Sequence, residues 1–207
     1  MTSLIKTTNE QIAKVLTAAA CVIGLGVVFL ASPISTTDAQ ASEGRFIPAV
    51  ASSPPPSGAI NLCDQYRWAC TAKRSAALSS QQELKVVEQI NRRVNRSTRE
   101  ITDQSQYKTR ERWALPTALG GDCEDFALLK KRELVHAGVD PNKLLIATVL
   151  DTRRIPHAVL VYRSDQGDLI LDNQTNRIKP WAATRYLFLR MQDPKRPSGW
   201  VGIYGHS

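Results

Sequence analysis

Two helical patterns come first in this chain and three strand-like runs follow, an order that leaves few ways of building one core. Leu144 to Leu150 is a short continuous apolar run suited to a buried strand, and His157 to Tyr162 and Leu169 to Leu171 succeed it at short intervals. Ser164-Asp165-Gln166-Gly167 between the last two is a turn signal, so these runs read as neighbours in an antiparallel sheet. Upstream, Leu84, Val87, Ile90 and Val94 recur at helical spacing, and Ser80-Gln81-Gln82-Glu83 has the form of a capping box, which predicts a helix over 80–98. A second helix is expected from Asp122 to Ala137. There Ala127, Leu128, Leu134 and Val135 share one stripe, Lys130, Lys131 and Arg132 favour the exposed side, and Gly138 with Pro141 ends the element. Helices followed by an antiparallel sheet make an α+β arrangement, with the N-terminal helices packed on the sheet.

The chain has 207 residues and no internal repeat, so one domain is expected. Residues 1–41 read as a signal peptide: Lys6 and Lys14 precede an uncharged apolar run from Val15 to Ala31, and Ala39-Gln40-Ala41 resembles a small-residue cleavage site. An uncleaved N-terminal anchor stays open, because the run approaches the length of a membrane span. Either way the folded part faces outside the cytoplasm. Residues 42–59, with Ser52-Ser53-Pro54-Pro55-Pro56-Ser57-Gly58, read as a flexible linker, leaving 60–207 as the domain. The net charge of +8 belongs to that domain, and Arg92, Arg93, Arg96 and Arg99 cluster on the first predicted helix. Such a face is either simply solvated or meets an acidic protein, a polyanion or a membrane surface. No nucleic-acid motif or aromatic interleaving accompanies it, so a nucleic-acid partner is not expected.

Cysteine usage narrows the chemistry. Cys21 falls in the leading segment without a convincing lipoprotein box, and Cys63 with Cys70 forms a close pair that an oxidising compartment could bridge. Metal ligation is the alternative for that pair, although no further Cys or His stands at zinc spacing. Cys123 is left over. It sits in Gly120-Gly121-Asp122-Cys123-Glu124-Asp125, at the start of the second helix, where unpaired N–H groups and the macrodipole favour a thiolate. Of three histidines, His136 suits the last turn of a helix and His206 lies beside the C-terminus, which leaves His157, entering its strand after Ile155-Pro156, as a base. Asp172 is the orienter of a Cys-His-Asp set, and this demands a register. A turn centred on Ser164-Asp165 pairs 157 with 172, whereas one at Gln166-Gly167 puts Asp172 opposite Val161, roughly 13 Å along the strand. Asp122, Glu124 and Asp125 should each raise the thiol pKa. A hard cation held by Asp122 and Glu124 would offset them, calcium before zinc given oxygen ligands; otherwise these residues only complement the helix dipole. Trp113 lines the site or fills the core.

Taken as an ordered set, Trp113-x-x-Pro116, Gly120-Gly121-Asp122-Cys123-Glu124-Asp125-Phe126-Ala127, Pro156-His157-Ala158-Val159-Leu160 and Leu171-Asp172-Asn173 resemble the bacterial transglutaminase-like cysteine proteinases. The resemblance covers roughly residues 60–200. It implies a papain-like, transglutaminase-like core with Cys123 as nucleophile, His157 as base and Asp172 as orienter. It also implies a calcium ion at Asp122 and Glu124, with Asp125 less secure. The expected protein is a periplasmic, monomeric endopeptidase whose protein substrate is a large surface adhesin involved in biofilm attachment, under an inner-membrane regulatory receptor. Thr117-Ala118-Leu119 departs from the family, which commonly has an acidic residue soon after the Trp-Pro motif. Transfer of the acyl group to an amine, or a non-catalytic module that binds an acidic partner through the basic helix face, are the rival readings.

Overall fold

The computed structural model describes residues 44–72 and 78–203; the expected signal segment, Cys21 and His206 lie outside the described residues. Among the described residues no helix is long and apolar enough to cross a membrane. The architecture is a seven-stranded sheet with helices on one face. The strands are β1 (Ala51–Ser53), β2 (Leu144–Leu150), β3 (Pro156–Ser164), β4 (Gly167–Leu171), β5 (Lys179–Pro180), β6 (Leu187–Asp193) and β7 (Arg196–Gly202). They lie in the order β1-β7-β6-β2-β3-β4-β5, every neighbouring pair antiparallel. The helices are α1 (Leu62–Gln65), α2 (Ser80–Ser97), α3 (Asp103–Gln106) and α4 (Cys123–His136). The expected α+β class therefore holds, with β1, β5, β6 and β7 added to the three strands legible in the sequence.

Alternation along the central strands divides the core in two. Leu144, Ile146, Leu160, Tyr162 and Leu171 face the helices, where they meet Val87, Ile90 and Val94 of α2 and Phe126, Ala127, Leu128 and Leu134 of α4. Leu145, Ala147, Val149, Val159, Val161 and Ile170 face the other way and pack with Phe188, Met191 and Val201. β2 pairs with β3 along its whole length, from Leu144 opposite Tyr162 to Leu150 opposite Pro156, which fixes His157 across from Val149.

The stretch read as a linker over 42–59 is part of the packed domain from residue 44 onward. Ile47 is buried on the second face of the sheet, and its N–H donates to Asp168 Oδ2 at 2.8 Å. Burying such a side chain stabilises by about 2 kcal/mol. Ala51–Ser53 pairs with β7, the Asp168 N–H donates to the Arg45 carbonyl, and Arg190 donates to the Pro54 carbonyl at 3.1 Å. Backbone pairing, which composition does not reveal, satisfies this Pro/Ser-rich segment.

Two local expectations shift as well. The N-cap of α2 is Ser79, one residue before the expected box: Ser79 and Gln82 exchange the reciprocal bonds, and Glu83 turns inward to Lys143 at 2.7 Å and the Tyr162 hydroxyl at 2.8 Å. Lys130 and Lys131, expected on the exposed side of α4, are fully buried. α4 is sandwiched between α2 and the sheet, so much of its circumference is interior. Lys131 follows Ala127 by four and precedes Leu134 by three, which puts it in the apolar stripe, and its Nζ donates to Gln192 Oε1 at 2.6 Å. The Cys63–Cys70 pair is a disulfide.

Candidate active site

Cys123 is the first residue of α4, and the backbone before it is held in place by glycines. Gly120 has φ +122°, and a Cβ there would meet the Arg99 carbonyl at 2.0 Å, so no other residue fits. Gly121 then donates to the Arg99 carbonyl and accepts from Ile101, tying the approach to the segment after α2. His157 enters β3 at the end of the sheet. Cys123 and His157 line one cavity of about 120 Å³ with Trp113, Glu124, Thr148, Pro156 and Leu189. Trp113 both lines this cavity and packs in the core, edge-on to Trp200, with its indole N–H on Glu111 at 2.8 Å.

The Asp172 register is neither of the two anticipated. Ser164 pairs with Gly167 and Leu160 with Leu171, so the turn is Asp165-Gln166. One step further, Asp172 stands level with Val159, two residues from His157 on the same face. Such a diagonal leaves backbones roughly 7–8 Å apart, which these side chains span. His157 Nε2 lies 2.9 Å from Asp172 Oδ1, both residues buried. A carboxylate cannot donate, so Nε2 carries the proton and Nδ1 is the free nitrogen of the neutral ring. Asp172 Oδ1 also accepts from the Gln174 N–H at 3.0 Å, and Oδ2 accepts from the Tyr186 hydroxyl at 2.6 Å. Burial alone would raise the Asp172 pKa, but the hydrogen bonds from His157, Tyr186 and the Gln174 N–H outweigh it and hold the group below its ordinary value. Tyr186 also meets the His157 ring edge-on at 6.0 Å.

The environment of Cys123 is the reverse. Its thiol donates to Glu124 Oε2 at 3.1 Å. Burial first, then the Glu124 charge, pushes its pKa up, against the thiolate expected from helix position alone. The Ala158 N–H opposes this but does not overcome it. Glu124 itself is pushed up to about 9 by burial and by Asp122, whose own carboxyl is raised by burial. Asp122 is the N-cap of α4 yet does not cap it; its Oδ2 instead accepts from the Asp103 N–H at 3.2 Å, and its Oδ1 is buried without a partner. Asp103, raised by burial and Asp122, brings a third carboxylate, and ligand atoms of Asp103, Asp122 and Glu124 lie within 4.8 Å of one another. Crowded, desolvated carboxylates with an orphan oxygen fit a hard divalent cation. Asp125 is not in this group: Oδ1 holds the Ala114 N–H at 2.8 Å, and burial raises its pKa to about 7.

Over residues 49–207 the sequence matches the model of the family described as bacterial transglutaminase-like cysteine proteinase, BTLCP. The chain belongs to that family. It is accordingly a cysteine peptidase of the transglutaminase-like kind. Among solved structures it is similar to Legionella pneumophila LapG (calcium-bound), at 25% identity over 60% of this chain and 71% of that one, with a TM-score of 0.49. The EGTA-treated form of LapG matches at 26% identity over 52% of this chain and 62% of that one, with a TM-score of 0.43. A further LapG structure matches at 26% over 53% and 63%, with a TM-score of 0.45. No curated protein matches the chain.

Asp103 and Tyr186 were not anticipated from sequence. Asp103 lies 19 residues before Asp122 with no metal-loop spacing, and Tyr186 sits in a segment without strand periodicity. The expected ligands Asp122 and Glu124 do meet, and the expected His157 and Asp172 do pair.

Proposed function

We propose that this peptidase cleaves an exported protein, a large surface adhesin being the substrate class that the family resemblance favours, through Cys123 as nucleophile, His157 as base and Asp172 as orienter. The observation that carries this reading is the Nε2 to Oδ1 contact of 2.9 Å, made by a histidine that lines the same cavity as the one free thiol among the described residues. His157 Nδ1 takes the Sγ proton, and the thiolate adds to a backbone carbonyl carbon. The Cys123 N–H, unpaired at the start of α4, donates to the oxyanion. The imidazolium then gives its proton to the departing amine, leaving a thioester on Cys123. A water attacks the thioester as His157 accepts its proton, and release of the acid returns that proton to sulfur. Asp172, ionised and held from three directions, keeps the Nε2 proton in place throughout, so that Nδ1 is the nitrogen that gains and loses one.

Asp103, Asp122 and Glu124 would hold a divalent cation, and the all-oxygen donor set favours calcium. Bound there, it supplies positive charge that keeps the carboxylates ionised and offsets their field at the thiol. The site of action proposed is the periplasm, after export by the leading segment.

The test is a digest of periplasmic and surface proteins by wild type and Cys123→Ala. Two new fragments present only with wild type support hydrolysis. A single heavier product would mean acyl transfer to an amine, and identical patterns would remove the catalytic reading.

A further inference from the structure

The carboxylate of Asp172 sits just beyond the last residue of β4, where strand pairing no longer fixes the chain. Asn173, Gln174, Thr175 and Asn176 follow it outside any strand or helix. This polar loop is held from α2. Asn95 Nδ2 donates to the Asp172 carbonyl at 2.9 Å, to the Thr175 carbonyl at 3.2 Å and to Asn176 Oδ1 at 3.0 Å. One turn earlier, Asn91 is fully buried and its Nδ2 reaches the Asn176 carbonyl at 3.3 Å. The four-residue spacing sets both amides on one side of α2, beside the apolar stripe of Val87, Ile90 and Val94.

The same loop is bordered by polar atoms that packing alone would not call for. Lys130 of α4 is fully buried with no partner for its Nζ; burial lowers its pKa and the Asp172 charge partly opposes this. Asn91 Oδ1, Asn95 Oδ1 and Asn173 Oδ1 are likewise buried and without a partner. Three amide oxygens and an ammonium are complementary in hydrogen-bonding capacity, and keeping them inside is costly unless the arrangement does something apolar residues could not.

We infer that Asn95 is a positioning residue for the peptidase reaction: it fixes the backbone of Asp172 so that the carboxylate meets His157 Nε2, and so sets the tautomer of the base. The inference rests on the Cys123, His157 and Asp172 reading proposed above. Productive geometry in such sites tolerates about 0.5 Å. α2 also packs on α4, so the helix that fixes the orienter is braced against the helix that begins with the nucleophile.

The experiment is 15N NMR of the histidine rings in the full chain. Wild type should show neutral His157 as the Nε2–H tautomer, and Asp172→Ala, which removes the acceptor, should lose that preference. If Asp172→Ala leaves the tautomer unchanged, the triad reading itself fails. With that control in place, Asn95→Asp, of equal size but without the donor, and Asn95→Ala should each lose at least half of the Nε2–H population while near-ultraviolet dichroism stays native. Retention of the wild-type tautomer in a folded Asn95 variant overturns the inference. A second reading needs no variant. The Asn95 side-chain amide protons in wild type should exchange at least tenfold more slowly than those of an exposed asparagine, and exchange at the free rate overturns it equally.

Discussion

The two halves of the active site treat the same functional group in opposite ways. At Asp172 one carboxylate is met by an imidazole, a phenol and a backbone N–H, and its pKa falls although it is buried. At Asp103, Asp122 and Glu124 three carboxylates face one another, one oxygen has no partner, and their pKa values rise. Burial is common to both. Donors complete the first group within the protein, whereas the second, on the reading proposed above, is completed by a cation, which makes the orienting side self-contained and the nucleophile side dependent on its surroundings.

The contrast sets an order of effects. Removing the finished side should be the most severe: Asp172→Asn should lower kcat by about 10⁴-fold with little change in melting temperature, measured on the substrate found in the digest. Chelation attacks the unfinished side. EGTA should abolish cleavage and calcium restore it, while calcium at a hundred times its Kd should stabilise the chain by about 2.7 kcal/mol in a thermal melt. Asp103→Asn should weaken that calcium-induced rise; an unchanged rise would remove Asp103 from the site.

pH separates the halves further. With Glu124 at about 9 and Asp125 at about 7 when folded, the folded chain keeps protons that the unfolded chain has released between pH 4.5 and 7. Stability without calcium should therefore fall as pH rises across that window. Saturating calcium should flatten the slope for Glu124 and leave the Asp125 part, which titration melts with and without EGTA would show. The smallest effect belongs to Tyr186→Phe, which takes one donor from Asp172 and should cost about 1 kcal/mol of stability by urea titration. A change as large as that of Asp172→Asn would mean that the orienting side is less self-sufficient than its geometry indicates.

The sequence carried what depends on short range. The bounds of β2, the helix opened by Cys123 and the meeting of Asp122 with Glu124 were legible because period, capping and residue chemistry act within a few positions, whereas His157 and Asp172 were matched by chemistry without the register that joins them. Contributions from distant segments were not. Asp103, Tyr186 and Asn95 reach the site through tertiary packing and leave no local spacing to read. Lys130 and Lys131 misled because charge outweighed phase: their positions in the apolar stripe were visible, but the crowding of α4 by α2 and the sheet was not. The Pro/Ser-rich segment misled in the opposite sense, since its order comes from β7 and from Asp168, more than a hundred residues away.

That last pairing has a bearing on how the molecule is assembled. β1 docks on the final strand, so residues 51–53 find their place only once the chain is complete to residue 202. Until then β7 or its precursor presents a bare row of amides and carbonyls, the kind of template that recruits strands from other molecules. A version shortened to begin at Ile60 would keep every group of the active site and still be prone to stick to its own copies, because the strip that shields the margin of the sheet would be gone.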